Sequence, residues 1–166
     1  MATEKTNVVT ELVNRTVVVS RVFDAPRTLV FKAFSTPEHL AQWWGPKGWT
    51  LPVCTVDFRP SGIWHYCMRG PDGDESWGRA VYREIVEPER IVYVDSFSNA
   101  EGDIVAGMPD MVITMTFAEH NGKTTLTSHA QFASDKDIEA VLAMGMVQGL
   151  TETWDRLAAH LAHMQA

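Results

Sequence analysis

Hydrophobic positions change their spacing twice along the chain, and the changes divide it into three stretches. Residues 15–23 are rich in β-branched side chains, with Val17, Val19 and Phe23 on one parity, as in a strand with one buried face. Asp24-Ala25-Pro26 stops that strand. Leu29, Val30, Ala33 and Phe34 then follow helical spacing, with Asp24 expected as the N-cap and Pro26 near the first turn. Ser35-Thr36-Pro37 closes this short helix and opens another, residues 37–43, with Leu40 and Trp43 on one side.

Alternation returns after the Gly45-Pro46-Lys47-Gly48 turn and holds almost to residue 132. The predicted strands are 51–58, 63–69, 76–86, 91–97, 111–117 and 123–132. They are separated by Pro60-Ser61-Gly62, by the loop 70–74, by Glu87-Pro88-Glu89, by the polar loop 98–110 and by the hairpin signal Asn121-Gly122. Short turns between successive strands predict an antiparallel meander. In the third stretch the period becomes helical again. Ser134 is the expected cap of one long helix, 135–163, with acids in its first turn. Ile138, Val141, Leu142, Gly145, Met146, Gly149, Leu150, Thr153, Trp154, Leu157, Ala158 and Leu161 fall on a single face of it. The expected fold class is therefore α+β, a curved antiparallel sheet of roughly six or seven strands covered by the C-terminal helix.

Composition narrows the function classes. A chain of 166 residues, 45% hydrophobic and 21% charged, fits one domain with a sizeable core, expected over residues 15–164. Apolar runs are only a few residues long, so no membrane insertion is expected. Residues 1–14 read as a polar, flexible leader without the features of a secretion signal, which predicts a cytoplasmic location. Cys54 and Cys67 lie on predicted strands outside any C-x-x-C pair and are expected as reduced thiols. A formal net charge of −7, with no basic cluster, argues against nucleic acid as a partner.

Candidate chemistry is concentrated in large apolar side chains. Trp44, Trp64, Tyr66, Trp77, Met115, Phe117, Met146 and Trp154 stand out in a chain with six tryptophans. Most aromatic residues serve as core, and that is the ordinary reading of each one. Gly145 and Gly149 change the collective reading, because they remove bulk from the inner face of the helix. That leaves either a close strand approach or a void, and a void walled by Trp, Tyr and Met suits a small apolar molecule. Asp57 and Arg59 share a parity and are expected to pair. Asp95, between Tyr93 and Phe97, is either an edge residue or a cavity acid, whereas His65 and His129 are expected to face away. His160 and His163 stand three apart near the chain end without a third ligand and are expected as solvated surface, so no metal or other cofactor is predicted. No G-x-S-x-G, H-E-x-x-H, P-loop or dinucleotide fingerprint occurs.

Several ordered motifs carry a family resemblance. The runs Arg21-Val22-Phe23-Asp24-Ala25-Pro26-Arg27, Val30-Phe31-Lys32-Ala33-Phe34, Pro37-Glu38-His39-Leu40 and Trp43-Trp44-Gly45-Pro46 resemble the opening of the Hsp90-ATPase-activator homologue family. So do Asp57-Phe58-Arg59-Pro60-Ser61-Gly62, Met68-Arg69-Gly70-Pro71-Asp72-Gly73, Glu84-Ile85-Val86-Glu87-Pro88-Glu89-Arg90 and Gly122-Lys123-Thr124-Thr125-Leu126. The family belongs to the START-like, helix-grip superfamily. The resemblance implies that fold, with a deep cavity between sheet and helix. Different members bind lipids, sterols, hormones or polyketides there, and a few catalyse cyclisation or hydration. Ser61 departs from the pattern, standing where the family usually has the first glycine of a pair, and a slightly different turn is expected.

Two functions from different classes follow. One is binding or sequestering of a small hydrophobic molecule. The other is an enzyme using the same cavity for proton transfer, with Asp57, Asp95 or Tyr66 as acid or base. A protein-interaction module of the co-chaperone kind is the lesser expectation, and a homodimer is left open.

Overall fold

The computed structural model describes residues 14–165 in full and 7–11 as backbone. Among the described residues eight strands form one sheet: β1 (Asn7–Glu11), β2 (Thr16–Phe23), β3 (Thr50–Val56), β4 (Ile63–Arg69), β5 (Glu75–Val86), β6 (Arg90–Phe97), β7 (Met111–His120) and β8 (Lys123–Gln131). Their order is β1-β2-β8-β7-β6-β5-β4-β3, and every neighbouring pair is antiparallel. The meander from β3 to β8 is thus laid down in sequence order, and the first long strand returns to close beside the last. Residues 7–11, expected within a flexible leader, instead form β1 and pair with β2 from Asn7 opposite Ser20 to Glu11 opposite Thr16. Residues 1–6 and 12–13, also assigned to that leader, lie outside the described residues.

Four helices among the described residues accompany the sheet: α1 (Arg27–Ser35), α2 (Pro37–Trp43), α3 (Asp135–Ala143) and α4 (Met146–Met164). Asp24 does not cap α1. Pro26 takes the N-cap position in an extended conformation, with no side-chain cap. Thr36 and Ser134 do cap their helices, accepting hydrogen bonds from the His39 and Asp137 amides.

The single C-terminal helix expected from periodicity is two. The chain breaks at Met144 and Gly145, where Gly145 has φ 85°. Only glycine enters that left-handed region without steric cost, so this residue ends α3 and starts α4. The spacing of apolar residues carries through the break, which is why the pattern reads as continuous.

The core lies between the inner sheet face and α1, α2 and α4. Val17, Val19 and Phe23 of β2, Tyr82 of β5 and Phe117 of β7 meet Phe31, Leu40, Trp43, Trp154, Leu157 and Leu161 in one buried cluster. Register shifts between Thr50 and Val53 and between Tyr82 and Glu84 interrupt the ladders and help to bend the sheet around the helix. At the hairpin, Asn121 and Gly122 both have positive φ, as a type I′ turn requires. Ser61 also keeps a positive φ, 70°, so it adopts the strained geometry rather than avoiding it. Ser61→Gly should therefore raise stability by roughly 0.5–1 kcal/mol, measured as a rise in the urea midpoint without change of slope.

Candidate functional site

A cavity of about 420 Å³ opens between the sheet and the C-terminal helices. Its floor is the inner face of four central strands: Tyr66 and Met68 on β4, Gly78 on β5, Tyr93, Asp95 and Phe97 on β6, and Met111, Ile113 and Met115 on β7. Val141, Met144, Gly145, Met146, Gly149, Leu150 and Thr153 roof it, and Trp44, Gly45 and Pro46 close one side. Pro109, in the β6–β7 loop, adds to the wall. Met144, in the roof, is 54% exposed.

The loop after α2 is fixed from the helix side. Arg156 of α4 donates to the carbonyls of Gly45 at 2.9 Å and Pro46 at 3.3 Å, and also reaches those of Trp44 and Gln42. One guanidinium can serve several carbonyls at once because its five N–H groups form a rigid planar fork. Trp44 in turn packs edge-on against Trp64 and Tyr66, with ring centroids 4.6 and 5.8 Å away.

Gly78 explains where the Tyr66 ring lies. The two residues are cross-strand partners, and a Cβ at position 78 would stand 2.2 Å from the Tyr66 ring. The missing side chain lets the ring lean over β5 toward β6, where its hydroxyl donates to Asp95 at 3.1 Å. Burial pushes the Asp95 carboxyl up to about 7, against the Tyr66 hydroxyl and Ser96 amide, which donate to it and favour the ionised form. Burial also raises Tyr66 and Tyr93 well above the ordinary phenol range, and the neighbouring carboxylate adds to both shifts. Asp95 is the only charged side chain in the cavity wall among the described residues.

The expected site residues divide into three groups. Trp44, Tyr66, Met115, Gly145, Met146 and Gly149 border the cavity. Trp64, Phe117 and Trp154 do not. Trp64 lies behind Trp44 and Tyr66, Phe117 packs on Phe31 and Phe34, and Trp154 packs on Phe23 in the core. Trp77 touches the cavity boundary, but strand alternation turns its ring to the opposite face, stacked on His65 at 5.2 Å. Gly145 serves the backbone turn and not a thinned helix face. Gly149 does thin it, since a Cβ there would find only the Pro46 ring within 4 Å, at 3.8 Å.

Other polar residues sort as cleanly. Asp57 and Arg59 pair at 2.9 Å, exposed and away from the cavity. His65 is bound to the Asn99 carbonyl on the outer face, and His129 is exposed. His160 is not simply solvated surface: it is half-buried and shares a hydrogen bond with His39 of α2 at 3.0 Å. Burial, and then the neighbouring His39, lower its affinity for a proton. Cys54 and Cys67 are free thiols, and burial pushes the Cys54 thiol up to about 11. Of the two expectations for Asp95, edge residue or cavity acid, the structure has the second, and what the sequence did not show is its hydrogen bond to Tyr66 two strands away.

A curved antiparallel sheet gripping a C-terminal helix, with a cavity between them, defines the helix-grip fold. Residues 24–162 match the family described as activator of Hsp90 ATPase homolog 1-like protein, and the chain belongs to that family. A Mycobacterium smegmatis protein of known crystal structure superposes with a TM-score of 0.86 at 29% identity, over 92% of this chain and 94% of that one. An Arthrobacter aurescens protein solved by NMR gives 0.87 at 26% identity, over 95% and 91%. A Staphylococcus epidermidis protein, also solved by NMR, gives 0.79 at 29%, over 95% and 94%. No curated protein matches significantly. Family and fold together support a ligand-binding or co-chaperone type of module. No helix among the described residues is long and apolar enough to cross a membrane.

Proposed function

We propose that this protein binds a small, largely apolar molecule in the cavity between sheet and helix. The observation that carries this reading is a space of about 420 Å³ walled by Trp, Tyr, Met and Ile side chains with one acid among them. Ligand sites are concave and mostly apolar, with a few polar groups that fix orientation. Core packing alone offers no reason to leave such a space between well-filled layers.

Gly149→Leu tests the reading. The added side chain has room at the roof, and leucine is the better helix former, so stability should stay within about 1–2 kcal/mol of the parent. Uptake of N-phenyl-1-naphthylamine, a neutral apolar fluorophore, should be lost. A folded variant that takes up the dye as the parent does, or a parent that never takes it up, would refute the binding function.

The Tyr66–Asp95 pair favours a second reading, in which the cavity catalyses proton transfer. A carboxyl near pH 7 and within reach of a bound molecule can take or give a proton under ordinary conditions. Turnover of a bound molecule that disappears in Asp95→Asn, while binding persists, would separate enzyme from carrier.

A further inference from the structure

We propose that the cavity selects molecules carrying a cationic nitrogen on an apolar body, with Asp95 as counter-ion and Trp44, Tyr66 and Tyr93 as the aromatic surround. This rests on the binding function proposed above and names its ligand class. Four observations converge on it. Asp95 lies in the cavity wall, yet none of the four ion pairs among the described residues includes it. Among the described residues the remaining wall holds no basic side chain that could neutralise it. Its polar neighbour, the Tyr66 hydroxyl, spends its proton on the carboxylate at 3.1 Å, so the pair offers acceptors to the cavity and no further hydroxyl donor. The rings of Trp44, Tyr66, Tyr93 and Phe97 border the same space, and the negative faces of such rings attract cations once water is excluded.

Charge neutralisation gives the selection its energy. A carboxylate taken from water without a partner is costly, and a bound cation relieves a cost the empty protein already bears. The raised proton affinity of Asp95 expresses the same deficit, since in the empty cavity the proton is the available cation. A neutral ligand of equal shape fills the apolar space but leaves that deficit in place. An anionic one worsens it.

Isothermal titration calorimetry at pH 8.5 with three probes of similar size decides the matter: (1-naphthylmethyl)trimethylammonium, its neutral isostere 1-(2,2-dimethylpropyl)naphthalene, and 1-naphthylacetate. The cation should bind at least about tenfold more tightly than the isostere, and the acetate should bind most weakly. In Asp95→Asn the cation's advantage should vanish while the isostere keeps its affinity within about twofold, which also reports that the cavity is intact. Equal binding of cation and isostere by the parent, or a cation preference that survives in Asp95→Asn, would overturn the cationic selection and leave the apolar-cavity function standing. Tighter binding of the acetate would likewise overturn it, in favour of a protonated Asp95 that donates to the ligand. Failure of all three probes would overturn both this assignment and the binding function beneath it.

Discussion

Trp154→Ala is expected to lower stability by roughly 3–5 kcal/mol, the range for truncating a large, fully buried aromatic residue. Trp154 has no exposed surface, and its ring meets that of Phe23 edge-on with centroids 5.9 Å apart. The contact joins α4 to β2, the strand that closes the sheet beside β8. Its indole nitrogen has no hydrogen-bond partner among the described residues, so the loss is one of packing and not of a polar bond. The void left behind cannot collapse easily, because Leu157 and Leu161 hold the neighbouring positions along the same face. Urea denaturation of parent and variant measures the difference directly. A loss below about 1 kcal/mol would show that α4 is not anchored here. Trp154→Phe, which keeps a ring against Phe23, should cost clearly less.

Asp95→Asn is expected to act in the opposite direction, and in a way that depends on pH. The ordinary aspartate value of 3.8 describes the unfolded chain, and about 7 describes the folded one. The folded state therefore holds this proton more tightly. The stability it confers is fully present below about pH 4 and is lost as pH rises through 7, where the buried carboxyl must ionise. Each unit of difference corresponds to about 1.4 kcal/mol, so the loss approaches roughly 4 kcal/mol at most. Asparagine carries no charge at any pH and still accepts from Tyr66. The variant should match the parent at pH 4 and exceed it by roughly 2–4 kcal/mol at pH 8, read from urea midpoints across the range. A constant difference at all pH values would show that Asp95 titrates normally.

The same residue marks the boundary of what the sequence discloses. Periodicity placed seven of the eight strands and both short helices, because a one-residue slip in a strand would turn every buried side chain to solvent. β1 escaped that logic, since Asn7–Glu11 pairs through its backbone and lacks a long apolar pattern. The break at Gly145 escaped it for the opposite reason: apolar spacing persists across the turn, and a positive φ leaves no mark beyond the glycine itself. In the cavity, residues chosen by strand parity fared well where the strand was central, as with Tyr66 and Met115. Trp64 shares that parity but is screened from the space by its neighbours, which no one-dimensional pattern expresses. Trp77 was chosen for its size, without regard to the face it occupies. The Tyr66–Asp95 bond runs diagonally from β4 to β6 over Gly78 of β5, since Gly78 is opposite Tyr66 while Asp95 is opposite Ala80, and only the folded sheet brings these positions together.

The turn at Gly145 also divides the chain into a part that can change length and a part that cannot. In an unbroken helix, one inserted residue rotates everything beyond it by about 100° and would carry Trp154 out of the core. Here α4 is held by contacts of its own, through Arg156 to the loop after α2 and through Asp155 to Arg21. The left-handed residue absorbs the rotation before it reaches them. Insertions or deletions within α3 would reshape the rim around Val141 and Met144 while Trp154, Leu157 and Leu161 keep their bearing. Homologues that differ in the length of this segment would then share one core and differ in the opening of the cavity, so divergence should collect ahead of the glycine and conservation of packing behind it.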